Sequence, residues 1–152
     1  KNILVAAYMG TSVTAKAREI AERCMDLCFL SEHRNKLAGG LTIGNKKRLE
    51  VARALATEPE LILLDEAVAG LTSSEVKEMV NVIVRLKEEG LTILMVEHIM
   101  EAIMPISDKI VVLASGQKIA EGRPADIVHD PVVITAYFGE KFSKRLHGEG
   151  NQ

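Results

Sequence analysis

The chain has 152 residues and a formal charge of −2, enough for one domain with a real core and too little charge for a general pull toward nucleic acid or anionic lipid. Hydrophobic residues at 47% favour a globule over disorder, and aromatics at 3% argue against a base-stacking platform. The longest apolar stretches, such as Ile3 to Met9, fall far short of the roughly 20 residues that span a bilayer, and Lys1-Asn2-Ile3 shows neither a signal peptide nor an initiator Met, as expected of a piece of a longer protein.

The first 57 residues hold no convincing strand and should be mostly helical. Val13, Ala17, Ile20, Ala21, Cys24, Leu27 and Cys28 recur at helical spacing, which predicts an amphipathic helix over residues 12 to 30. Cys24 and Cys28 fall one turn apart among apolar neighbours. With no further cysteine to add ligands, they read as buried thiols in a reducing cytoplasm rather than as a disulfide or metal pair. Ser31 to Gly40 is polar and ends in glycine, hence a loop. A second helix is expected from Asn45 to Thr57, stopped before Pro59 because the residue preceding proline disfavours the helical region. Leu61 to Leu64 is a continuous apolar run of the kind found in strands covered on both faces.

Thr72-Ser73-Ser74-Glu75 has the form of a capping box at a helix start. Val76, Met79, Val80, Ile83 and Leu86 mark the buried stripe of that helix, and Gly90 closes it. Leu91 to Val96 is the next buried strand. Lys109 to Ala114 and Gln117 to Ala120, joined by Ser115-Gly116, predict a hairpin. One short helix should start at Pro124 and another at Asp130-Pro131, ending at Gly139, with a loose tail behind it. Alternation of buried strands and helices from Leu61 onward indicates an α/β fold with a mainly parallel sheet.

Three places carry chemistry. The apolar strand ending in Asp65-Glu66 delivers two acids from a rigid exit, where Asp65 can hold Mg²⁺, directly or through water, and Glu66 can polarise an attacking water. His98 follows the next strand and can reach a phosphate or position that water. Leu41-Thr42-Ile43-Gly44-Asn45 opens a helix whose first turn carries Lys46, Lys47 and Arg48. Helix-start amides bind anions, and Gly44 permits close backbone approach. Taken singly, each has a plainer reading: polar residues where strands leave the core, and a solvated basic face. Gly39 to Lys46 resembles a phosphate-cradling loop, but its lysine is one place late, no hydroxyl residue follows, and no strand precedes it. The remaining histidines, His33, His129 and His147, lie in loops or the tail and carry no role.

In this order the parts resemble the C-terminal two-thirds of an ATP-binding cassette (ABC) transporter ATPase subunit, over essentially the whole chain up to Glu140. Leu41 to Asn45 is similar to the family's LSGGQ signature, with Ile43 in place of a glycine. Asp65 and Glu66 match its Walker B aspartate and catalytic glutamate, His98 its switch histidine, and Ala69-Gly70-Leu71-Thr72 its D-loop. Ala67 departs from the usual proline, and Thr72 from the usual D-loop acid or amide. The resemblance implies a partial P-loop NTPase fold, with a signature-bearing helical subdomain over residues 1–57, part of the ATPase core over 58–140 and a flexible tail over 141–152. It puts the Walker A loop, the adenine contact and the Q-loop upstream of Lys1. It implies ATP and Mg²⁺ as cofactors. Leu41, Thr42, Gly44 and Asn45 would then touch an ATP held by a second ATPase subunit. Integral membrane permease subunits would be the further partners, with no nucleic acid, at the cytoplasmic face of the membrane.

The signature with Ile43, the run Arg48-Leu49-Glu50, the Glu97-His98 pair, Ile106 to Ile110 and the ending Ile134 to Glu140 resemble the ATPases of branched-chain amino acid importers. Lipopolysaccharide-export ATPases have a similar ending and stay open as an alternative, as does a catalytically silent docking domain. A chain without its phosphate cradle should bind Mg-ATP very weakly by itself and hydrolyse none.

Overall fold

Three α-helices account for most of the opening 57 residues. The computed structural model describes residues 1–138. Helix α1 runs Asn2–Ala7 and buries Ile3 and Ala7, one turn apart. Helix α2, Thr14–Leu27, buries the expected stripe from Ala17 to Leu27, while Val13 at its start is exposed. The stretch expected as a plain loop winds into two single 3₁₀ turns, Ser31–His33 and Ala38–Gly40. Helix α3 spans Ile43–Leu55 and starts two residues earlier than expected. The cause is Thr42, whose Oγ1 accepts a hydrogen bond from the Asn45 amide at 3.2 Å and so fixes the helix start.

Strand β1 (Leu61–Asp65) and strand β2 (Thr92–Val96) pair in parallel, Leu61 opposite Thr92 and Asp65 opposite Val96. Helix α4, Ser73–Glu88, makes the crossover between them. Its start is the predicted capping box: Thr72 Oγ1 takes the Glu75 amide while the Glu75 carboxylate takes the Thr72 amide. The stripe differs by one position. Val82 is fully buried, whereas Val80 is only partly so. A short helix α5, Met100–Ile103, follows β2.

One apolar cluster joins α1, α2, α3, β1, α4 and α5, so residues on both sides of position 57 share a core. The expectation that the strands are covered on both faces is corrected here. Ile62 and Leu64 point into the core, but Leu63 is 67% exposed, Leu94 59% and Val96 61%. The helices of this unit cover one face of the sheet, and an apolar run reads the same whether one face or two are covered.

The chain divides into two compact units, Lys1–Ile106 and a second beginning at Ser107. In the second, β3 (Ile110–Ala114) and β4 (Gln117–Gly122) form the expected antiparallel hairpin. Both residues of its turn, Ser115 and Gly116, have positive φ, the geometry that matches the twist of a tight hairpin. Helices α6 (Pro124–Ile127) and α7 (Pro131–Phe138) pack on β4, and the Asp130 side chain caps the start of α7 through the Val132 amide at 2.8 Å. The expected stop at Gly139 and the tail over 141–152 lie outside the described residues. No described helix is long and apolar enough to cross a membrane.

Candidate functional site

Parallel in-register pairing makes β1 and β2 release their chains at the same edge of the sheet. The Glu66 amide extends the pairing by one bond, donating to the Val96 carbonyl at 2.9 Å. Glu66 itself adopts φ +47°, a left-handed conformation that turns the chain sharply out of the strand. His98 leaves β2 beside it, with Nδ1 3.8 Å from Glu66 Oε1, and both side chains are open to solvent. The predicted acid and histidine are therefore neighbours. Asp65 closes the same strand end and borders a shallow depression with Lys47, Glu50, Leu63 and Ala67. No group of three or more His, Cys, Asp or Glu side chains able to hold a metal occurs among the described residues. Asp65 and Glu66 fit instead an ion such as Mg²⁺, which keeps most of its waters and takes one or two carboxylates together with substrate phosphates.

The segment behind Glu66 is tied down. The Ala69 amide donates to the Glu66 carbonyl at 3.1 Å and the Leu71 amide to the Val68 carbonyl at 3.2 Å, so the predicted D-loop, Ala69 to Thr72, is a compact turn running into the α4 cap. Glu97 was read from sequence only as part of a family-like dipeptide. Its side chain is wholly buried, with Oε1 accepting the Val68 amide at 2.9 Å and Oε2 accepting the His98 amide at 3.2 Å. The alternation of β2 would have found it, since Glu97 is in phase with the inward-facing Ile93 and Met95.

The predicted signature segment forms the start of α3, with Leu41 just ahead of the cap and Ile43 exposed. Its polar groups are engaged within the chain. Thr42 caps the helix, the buried Gly44 donates its amide to Glu75 Oε1 at 3.3 Å, and Asn45 Oδ1 accepts from Arg48 at 2.5 Å. Arg48 is not part of a solvated basic face: it is 8% exposed and also pairs with Glu78 at 3.1 Å. Lys47 reaches the edge where Glu66 emerges, donating from Nζ to the Glu66 carbonyl at 3.2 Å. One helix thus carries the predicted signature residues and braces the turn that holds Glu66.

Electrostatics follow these contacts. The Thr72 amide, then the Thr72 hydroxyl, hold the Glu75 carboxyl below its ordinary range, with smaller help from the Gly44 amide and Arg48. Burial pushes the Cys24 thiol up to about 11 and the Cys28 thiol to about 12. Both cysteines are free and buried, as expected.

The chain is similar to known proteins over most of its length. Residues 4–69 match the family described as ABC transporter, and residues 117–143 that of the branched-chain amino acid ATP-binding cassette transporter. The high-affinity branched-chain amino acid transport ATP-binding protein LivG of Salmonella typhimurium is 41% identical over 127 residues, 83% of this chain and 50% of the relative. The lipopolysaccharide export system ATP-binding protein LptB of Haemophilus influenzae is 33% identical over 143 residues, 93% of this chain and 59% of the relative. A crystal structure of the ADP conformation of an ATP-binding cassette superposes with a TM-score of 0.72 at 34% identity, covering 80% of this chain and 50% of that one. The chain spans about half the length of the curated relatives it matches.

Proposed function

Because the chain belongs to the ABC transporter ATP-binding family, we propose that it is the signature-bearing and hydrolytic part of a transporter ATPase subunit that powers import of branched-chain amino acids. The observation that carries the reading is the meeting of Glu66 and His98, 3.8 Å apart, at the common exit of two paired parallel strands.

In this reading Glu66 takes a proton from the water that attacks the γ-phosphorus, and His98 steers that water or the phosphate. Asp65 would hold Mg²⁺, directly or through water, and the ion would supply charge neutralisation at the phosphates. Leu41, Thr42, Gly44 and Asn45 contact an ATP held by a second ATPase subunit, with Ala69 to Thr72 near the same junction. Permease subunits in the membrane are the other partners, which puts the protein at the cytoplasmic face. The substrate assignment is supported by the 41% identity to LivG and by the match over residues 117–143. Lipopolysaccharide export is the second reading, supported by the 33% identity to LptB.

The bare outer face of the β1–β2 pair supports the further reading that the remaining half of a family-length cassette, with its phosphate cradle, packs there. The test is Glu66→Gln in a cassette of that length. ATP binding should persist while hydrolysis falls by about 10²-fold or more. Turnover near that of the unsubstituted protein removes Glu66 as the base and the reading with it.

A further inference from the structure

Arg48 closes the basic run at the start of α3, yet it is buried, with Nη2 serving two partners. That nitrogen donates to Asn45 Oδ1 at 2.5 Å, within the helix, and pairs with Glu78 Oε2, on α4, at 3.1 Å. A buried guanidinium is costly unless an opposite charge meets it, and Glu78 supplies that charge. Asn45 supplies none, so its bond to Arg48 has a different consequence. An arginine can only donate, and the carboxamide must therefore face it with the oxygen. The Nδ2 donors, on the opposite branch of the same planar group, are turned away from Arg48. Asn45 lies three positions before Arg48 on the same helix face and stays partly exposed.

We propose that Arg48 is a positioning residue: it locks the Asn45 carboxamide with Nδ2 turned outward, so that the group offers donors to acceptor oxygens of the nucleotide. The bond is charge-assisted, the stronger class of hydrogen bond, and Glu78 holds the guanidinium in place from α4. Without Arg48 the carboxamide would sample about two χ1 wells open to a helical residue and both of its faces. About a quarter of the population would then present Nδ2 correctly. This role rests on the reading of Leu41, Thr42, Gly44 and Asn45 as contacts to an ATP held by a second subunit.

The experiment is a double-mutant cycle on the ATP KM in a cassette of the relatives' length. Arg48→Met keeps the apolar stem and removes the donors, while Asn45→Ala removes the group they orient. Arg48→Met alone should raise the ATP KM about fourfold with kcat little changed. In the Asn45→Ala background the same change should leave KM where Asn45→Ala alone puts it. An Arg48→Met effect of equal size in both backgrounds is the mark of a purely structural role and overturns the proposal. So does an unchanged KM in Arg48→Met when Asn45→Ala raises it. Both results leave the contact of Asn45 with ATP standing, whereas an unchanged KM in Asn45→Ala removes that contact and the proposal with it. Should Arg48→Met fail to fold, Asn45→Asp decides, because it keeps an oxygen for Arg48 and replaces the outward donors with a second oxygen. Its denaturant midpoint should match or exceed that of the unsubstituted protein, while its ATP KM rises at least as far as in Asn45→Ala. A lowered midpoint or an unchanged KM in Asn45→Asp overturns the proposal.

Discussion

The amide of Gly44, at the start of α3, donates to the carboxylate of Glu75, at the start of α4, at 3.3 Å. The same carboxylate accepts the Thr72 amide at 3.1 Å and the Thr72 hydroxyl at 3.0 Å. One acidic side chain therefore serves two helix N-termini at once, where the partial positive charge of each favours an anion. It links the predicted signature segment to the predicted D-loop through the protein itself.

That close approach depends on the missing side chain of Gly44. A Cβ built there would stand 2.7 Å from Glu75 Oε1 and 2.9 Å from its Cδ and Cγ. Gly44→Ala should drive the carboxylate away and destabilise the fold through lost capping. In a Glu75→Ala background there is nothing to displace, and the same change should be neutral or stabilising through helix propensity, by up to ~1 kcal/mol. Denaturant midpoints of the four proteins in this cycle check it. Equal effects of Gly44→Ala in both backgrounds would show that the contact contributes nothing.

The acid side of the stability profile should report the same carboxylate. Glu75 sits below its ordinary value of 4.5, chiefly because the Thr72 amide and hydroxyl bond its charged form. A group depressed by folding stabilises the native state above its unfolded value, and that contribution is lost as pH falls through the folded value. Stability should thus decline between neutral pH and the region below 4.5, and Glu75→Gln should flatten the decline. Thermal midpoints of the two proteins from pH 7 downward test this, and parallel curves would contradict it.

The buried cysteines should weaken the fold at alkaline pH. Cys28 is raised from 9.0 to about 12 and Cys24 from 9.0 to about 11, with burial the leading cause in each. Folding that raises an acid's pKa favours its neutral form, so this contribution is intact below pH 9 and falls as pH climbs toward the folded values. At pH 8 neither thiol should react with an aromatic disulfide reagent until the protein is unfolded. Fast labelling of native protein at that pH would mean the packing around α2 opens readily.

The shared strand exit was legible in the sequence because buried apolar runs decide which strands pair, and pairing decides where Asp65, Glu66 and His98 emerge. Thr72 and Glu75 were legible as a cap because their spacing is local. The same Glu75 was not legible as the partner of Gly44, 31 positions away, because no local pattern encodes a contact between two helix starts. Arg48 misled for a related reason. In a basic run its charge reads as solvated, yet α4 brings Glu78 to it and closes it off from water. Glu97 was hidden by its neighbour, since a histidine after a strand draws attention from the buried acid that precedes it.

The bare sheet face gives the last prediction. Leu63 is 67% exposed and Leu94 59%, side by side on paired strands. Replacing Leu63 by Thr removes apolar surface that the chain itself does not bury, so the stability of this chain should change by no more than about 0.5 kcal/mol. Self-association driven by that face should decrease. In a cassette of the relatives' length, where the proposed second layer covers Leu63, the same change places a hydroxyl in the core and leaves a gap, at about 2–5 kcal/mol. Chemical denaturation of both proteins, with sedimentation of the shorter one, separates the two cases. An equal, small effect in both lengths would mean that nothing packs on this face, and the proposed arrangement of the cassette would fall.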